Sequence, residues 1–282
     1  MYRIVQRVLW ILLILAAALY GLGYYQTRML RDTEGPIITV EEDTILVSVT
    51  DSEESLLRGI RAYDRKDGDV TASLVLQEMS NFIEKGRRQI TVAAFDNDNN
   101  VSKATREIRY IDYVSPRFSL TQPLSFPSGT QESRLTEAFQ VQDCLDGDLS
   151  GDISVELEDP DSWMDLSNVS ETRLVCTVIN SAGDVAELPL TLSVYDPSEY
   201  NRGTKLLLSQ FLAYLERGAS FDPWSYVAGM EKYCEEIPLN RRLVELSNPV
   251  DTSRPGVYEV LYTVSDEEND YVTSVRLPVI VE

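Results

Sequence analysis

Two short stretches carry the oxygen-rich residue types that coordination chemistry would need. Asp64, Asp67 and Asp69 stand in Ala62-Tyr-Asp64-Arg-Lys-Asp67-Gly68-Asp69-Val70-Thr71. Asp143, Asp146 and Asp148 stand in Val141-Gln-Asp143-Cys-Leu-Asp146-Gly147-Asp148-Leu149-Ser150, seventy-nine positions later. Three carboxylates within six residues are hard ligands of the kind Ca²⁺ takes, although neither run follows the twelve-residue order of an EF-hand loop. The same spacing serves a second reading, in which Asp-Gly turns join strand ends and Asp64 or Asp143 accepts backbone N–H groups as an Asx-turn. That turn reading requires no ligand and is preferred; Ca²⁺ at the loops stays open beside it.

Catalysis has little to work with. The chain contains no histidine, which removes a Ser-His-Asp or Cys-His relay and any His-ligated zinc. No Gly-rich phosphate loop follows a strand. Paired carboxylates are expected by chance among 46 acidic residues, so they do not by themselves indicate glycoside cleavage. The expectation is a protein that is not an enzyme and needs no cofactor apart from Ca²⁺ in the alternative reading. A net charge of −21 argues against nucleic acid, whose affinity comes from Lys and Arg neutralising phosphates. Cys144, Cys176 and Cys234 are too few for a disulfide scaffold; three thiols are expected, with a Cys144–Cys176 pair as the alternative. Asn100-Val-Ser102 and Asn168-Val-Ser170 are sequons expected to go unused.

These residues must be held by something, and the first element is a helix. Val8 to Thr27 is twenty residues without a formal charge, bounded by Arg7 and Arg28. About twenty apolar residues span a hydrocarbon core of roughly 30 Å, and Trp10, Tyr20, Tyr24 and Tyr25 lie toward the ends, where aromatic rings prefer the interface. Arg3 and Arg7 are matched by Arg28 and Arg31, so the charge count does not orient the segment. Every acidic residue lies beyond Arg31, which suits an exterior domain. The expected topology is a short cytoplasmic stub at 1–7, a signal anchor at 8–27, and the remainder outside the cell membrane. Cleavage after Ala18, in Ala16-Ala17-Ala18, is the competing reading.

Behind the helix the chain repeats itself. Besides the two Asp-Gly-Asp stretches, a closing signature recurs three times: Gly86 followed ten residues later by Asp96, Ser170 by Asn180, and Gly256 by Asp266. The run before each turn alternates, as in Tyr258, Val260, Tyr262 and Val264 against Glu259 and Thr263. The run after it alternates too, as in Leu188, Leu190, Leu192 and Val194, or Val275, Leu277, Val279 and Val281. Period two means half-buried strands, and Asn99, Gly183 and Asn269 are types that tolerate the left-handed backbone of a tight turn. Strands are expected at 37–40, 45–49, 59–63, 70–76, 89–95 and 103–111. Phe139, Val141, Leu174, Val178, Leu190 and Leu192 should face a core. The expected domains are 33–113, 114–196 and a divergent 197–282.

The third repeat lacks the Asp-Gly-Asp loop. Leu206 to Leu208 and Phe211 to Leu215 read as strands, with one amphipathic helix over Lys205 to Glu216 as the alternative. Asp222-Pro223-Trp224 fits a helix start with Asp at the N-cap and Pro at the first position. Trp224, Tyr226 and Tyr233 are its candidate binding residues, since aromatic faces stack on sugars and partners, although a lone Trp also serves a core.

GPIITV opening a unit, AYDRKDGDVTASL in its middle and the Gly-x9-Asp hairpin at its end resemble bacterial immunoglobulin-like repeats of Gram-positive surface proteins. The likeness covers about residues 33 to 196, and 197 to 282 through VDTSRPGVYEVLYTVSD. It implies an all-β chain of three tandem immunoglobulin-like sandwiches after one transmembrane helix, acting as a stalk, spacer or adhesive module. Asp96-Asn-Asp98-Asn-Asn100 is similar to calcium-binding runs between cadherin-like domains. The chain departs from the surface-protein pattern in lacking a sortase-type sorting signal before Glu282, which leaves attachment to the helix. The expected function is a structural or interaction ectodomain at the cell envelope. The alternative is an adhesin that recognises a glycan or another surface protein through its third domain.

Overall fold

The computed structural model describes residues 2–30, 32–266 and 271–282, with no side-chain description for 26–30 and 266; the turn residue expected at Asn269 lies outside them. The chain divides into two compact units, Met1–Asp112 and Tyr113–Glu282.

The first unit opens with a helix, Tyr2–Leu30. Within its stretch Tyr2–Tyr25 the most apolar eighteen residues have a mean hydropathy of 2.0 and none of them is buried; it is the one helix among the described residues long and apolar enough to cross a membrane. At 1.5 Å per residue those 24 residues measure about 36 Å. Leu, Ile and Ala propagate a helix without a break, and no proline interrupts the run.

The rest of that unit is a pair of sheets. Its strands are β1 (Ile37–Val40), β2 (Thr44–Val47), β3 (Ile60–Asp64), β4 (Gly68–Asp69), β5 (Val75–Glu84), β6 (Arg87–Phe95) and β7 (Val101–Tyr110). One sheet runs β1-β3-β4, the other β2-β7-β6-β5, and Val47, Leu56, Ile60, Ile90, Val92 and Ile108 fill the space between them. Strict alternation decides which side faces in: Ile60, Ala62 and Asp64 are buried while Arg61 and Tyr63 are exposed. β2 pairs parallel to β7, Thr44 with Glu107 through Val47 with Tyr110, so the chain changes sheets between β1 and β2. The strand expected over 70–76 is interrupted. A 3₁₀ turn occupies Thr71–Ser73, because the Asp69 carboxylate accepts the Thr71 amide and draws the chain into a bend.

The second unit repeats this plan twice. It contains β8 (Arg117–Leu120), β9 (Ser125–Pro127), β10 (Phe139–Asp143), β11 (Gly147–Asp148), β12 (Ser154–Leu157), β13 (Ser170–Ile179) and β14 (Val185–Tyr195). After them come β15 (Lys205–Leu208), β16 (Ala213–Leu215), β17 (Val227–Lys232), β18 (Glu235–Ile237), β19 (Val244–Ser247), β20 (Gly256–Asp266) and β21 (Tyr271–Val281). The sheets are β11-β10-β8 with β12-β13-β14-β9, and β15-β17-β18 with β16-β21-β20-β19. β9 runs parallel to β14, and β16 to β21. All six residues expected in the core, Phe139, Val141, Leu174, Val178, Leu190 and Leu192, are buried.

Lys205 to Glu216 takes the strand form rather than the single helix. Leu206 and Leu208 face the core of Met230, Val260, Tyr262 and Leu277, which a helix would cover less closely than a strand paired with β17. Asp222 caps a 3₁₀ turn, Pro223–Tyr226, by accepting the Trp224 amide at 3.0 Å. The alternative Cys144–Cys176 pair is overturned. None of the three thiols forms a disulfide: Cys144 sits exposed on a hairpin loop, its thiol donating to the Val114 carbonyl at 3.1 Å, while Cys176 points from β13 into the core, where burial pushes its thiol up to about 12.

Within this unit the two sandwiches share a contact. Phe211, Leu212, Val257 and Ile280 pack against the core around Phe118 and Leu190. Glu259 on β20 accepts the Thr191 amide at 2.8 Å and the Thr191 hydroxyl at 2.6 Å. Arg276 pairs with Glu171 at 2.7 Å, and the Tyr214 hydroxyl accepts the Phe118 amide at 3.0 Å.

Candidate functional site

The Asp-Gly-Asp stretches fold as hairpin turns with their carboxylates committed to N–H donors. Asp64 is buried, and its Oδ1 accepts the amides of Lys66 at 2.7 Å and Asp67 at 2.9 Å. Asp143 does the same with Leu145 at 2.8 Å and Asp146 at 2.9 Å. Each turn ends in a glycine with positive φ, 80° at Gly68 and 78° at Gly147, which only glycine adopts without strain. Asp148 accepts both the hydroxyl and the amide of Ser150, and that pair, hydroxyl first, holds its carboxyl below the usual aspartate value. Asp69 is held low in the same way by Thr71.

The central aspartates bind the two sequence signatures to each other. Asp67 Oδ2 accepts the Asn97 amide at 2.9 Å. Asp146 accepts the Ser181 amide and hydroxyl, each at 2.6 Å. Asp96 in turn accepts the amide of Asn100 at 2.7 Å and its side-chain amide at 2.6 Å, with Asn99 at φ 64°. In the second unit Asn180 takes the place of Asp96 and accepts the amides of Ala182 and Asp184. Among the described residues, no three Asp, Glu or Cys side chains come together as a group that could hold a metal ion.

The three aromatic candidates have different surroundings. Trp224 is half-buried, with the Arg241 guanidinium 4.5 Å from its ring centre and Tyr262 edge-on at 6.3 Å. Tyr226 packs beside Phe221 against the β20–β21 core. Tyr233 is exposed at the β17–β18 turn, at φ 53°, with Lys232 over its ring.

A different tryptophan is presented to solvent. Trp163 is 79% exposed, on the loop between β12 and β13. That loop is well tied. Met164 and Leu166 pack into the core beneath it, the Leu166 carbonyl accepts the Gly129 amide at 2.7 Å, and Asp159 and Asp165 each cap a local turn. Beside the indole a depression of about 390 Å³ is lined by Glu158, Thr172, Arg173 and Glu171. Glu171 also lines a second depression of about 320 Å³, which includes Val169, Ser170, Ser193, Ser274 and the stacked pair Tyr195 and Tyr200, 3.9 Å apart. Burial pushes the Tyr200 hydroxyl up to about 12. Ser125 and Tyr195 lead into a third depression of about 510 Å³ with Ser128, Thr130 and Gln131. Trp163 is not among the residues singled out by spacing or periodicity. The available signal was a tryptophan in Asp-Pro-Asp-Ser-Trp, where no alternation assigns it to a core.

No protein-family model matches the chain. It is similar to the pesticidal crystal protein Cry22Aa of Bacillus thuringiensis, 22% identical over 212 residues, covering 73% of this chain and 27% of that protein. The chain thus spans about a quarter of the length of this curated relative. Solved structures with a likeness include the CBM51-2 and INT domains from Clostridium perfringens ZmpB in complex with GlcNAc, at 16% identity over 54% of this chain and 26% of that one, TM-score 0.22. Human CDH23 EC21-23 matches at 13% identity over 88% of this chain and 100% of that one, TM-score 0.22.

Proposed function

We propose that this chain is a non-enzymatic, single-pass membrane protein of the bacterial cell envelope, whose modules at 33–113, 114–196 and 197–282 form an extracellular interaction ectodomain. One observation carries the reading: the helix Tyr2–Tyr25 exposes its entire apolar surface, which water would not tolerate and a bilayer would. The acidic modules beyond it, with carboxylates spent on turns, support a scaffold that presents surfaces. The test is extraction of cell membranes with alkaline carbonate, together with protease treatment of intact cells. The chain should stay with the bilayer at its full mass, and external protease should remove everything beyond about residue 32. Release of a species lacking residues 1–18 would replace the anchor with a cleaved signal.

A further inference from the structure

We propose that the three contiguous depressions of the second unit form one groove for an extended, uncharged oligosaccharide, with Trp163 as the stacking platform at one end. The inference rests on the envelope reading only for where such a glycan would be met. Three features of the surface point the same way. The indole is held out by a loop in which Met164 and Leu166, half-buried, pack against the core, so its exposure is built in rather than a frayed end. A pyranose offers an apolar C–H face and a rim of hydroxyls, and the groove offers the complement: one aromatic face at Trp163, then Ser193 and Ser274, on the outward faces of β14 and β21, as donors and acceptors. Val169 and Val272, both exposed, give the middle depression small apolar contacts of the size of a sugar face.

Charge and shape narrow the class. Over the three depressions the lining carries the carboxylates of Glu158, Asp159, Glu171, Asp196 and Glu199 against the cations Arg134 and Arg173, so an anionic polymer would be repelled. A protein partner would need a desolvated cluster of large apolar anchors, whereas this surface is mostly hydroxyl and carboxylate. Each depression is at the small end for a ligand pocket, and they join through Glu171 and through Ser125 with Tyr195, which fits a chain of sugars better than one compact molecule. Ser274 and Val272 come from the last sandwich and Trp163 from the one before it, so their shared contact completes the groove.

The experiment is calorimetric titration of the full chain in a detergent without a sugar headgroup. The probes are β-1,4-linked hexasaccharides of N-acetylglucosamine and of glucose, with the corresponding disaccharides. At least one hexasaccharide should bind, at least tenfold more tightly than its disaccharide. Trp163→Ala should weaken it at least tenfold, Trp163→Phe should recover most of the loss, and Val169→Trp should remove the advantage of length. The proposal is overturned if neither hexasaccharide binds or if Trp163→Ala binds as well as the parent. The anchor is read separately. A chain that resists alkaline extraction yet binds no sugar loses the groove alone, and one that binds sugar yet washes off the membrane loses the anchor alone.

Discussion

Asp146 spans two turns: its own backbone lies in the β10–β11 hairpin, while its carboxylate holds Ser181 in the β13–β14 hairpin. Asp146→Ala leaves that amide without its acceptor, and a loss of about 1 to 2 kcal/mol is expected in urea unfolding, with Asp146→Asn falling between variant and parent. If the carboxylates serve as turn acceptors, millimolar Ca²⁺ against chelator should leave the thermal midpoint of parent and variants unchanged. A rise of several degrees in the parent would restore the metal reading. Acid should undo these turns with a defined sign. Asp69 and Asp148 are held below their ordinary 3.8, so the stability they contribute is complete above that value and drains away as pH falls through it and beyond. A midpoint that holds steady from pH 5 to pH 2 would contradict this. Alkylation gives a second residue-level check: Cys144 and Cys234 should react in the native chain, and Cys176 only after unfolding. The Asx-turns were legible in the sequence because an Asp reaching two or three residues ahead is local chemistry. The Asp146–Ser181 link was not, since it joins residues 35 apart that only the fold makes neighbours.

At the scale of elements, alternation located the long closing hairpins and the six core side chains. It failed where a strand has two buried faces. Thr191 lies between Leu190 and Leu192 and reads as a solvent position, yet it is buried because Glu259 of the following sandwich covers it. Nothing local to β14 signals that cover. Glu259→Ala should therefore speed exchange of the Thr191 amide by at least tenfold and separate the unfolding of the two sandwiches, which are expected to melt together in the parent. Exchange at parental rates would mean that Phe211, Leu212, Val257 and Ile280 hold the contact without it. The interrupted strand at Thr71–Ser73 has the opposite lesson: its cause, Asp69 two residues before Thr71, was in plain view, but a run of Val, Thr and Leu outweighed it.

For the molecule as a whole, the helix was the most legible element, because hydropathy over twenty residues needs no tertiary information. Leu13→Arg with Leu15→Arg should abolish membrane retention, at about 2.5 to 3.5 kcal/mol for each charge near the bilayer centre. Sedimentation of the double variant with carbonate-washed membranes would refute the anchor. The groove beside Trp163 was the least legible part, being assembled from two sandwiches and a loop without periodicity. One shared feature bears on the load that the proposed anchor would transmit. In every sandwich an early strand runs parallel to the last one, β2 with β7, β9 with β14, β16 with β21. A pull on the two chain ends drags such a pair in opposite directions along its length, so the hydrogen bonds of three or four residue pairs are loaded together in shear instead of being peeled one after another. Each module is thereby clamped near its point of entry, and under load it should yield abruptly, in one step, rather than unravel from its ends.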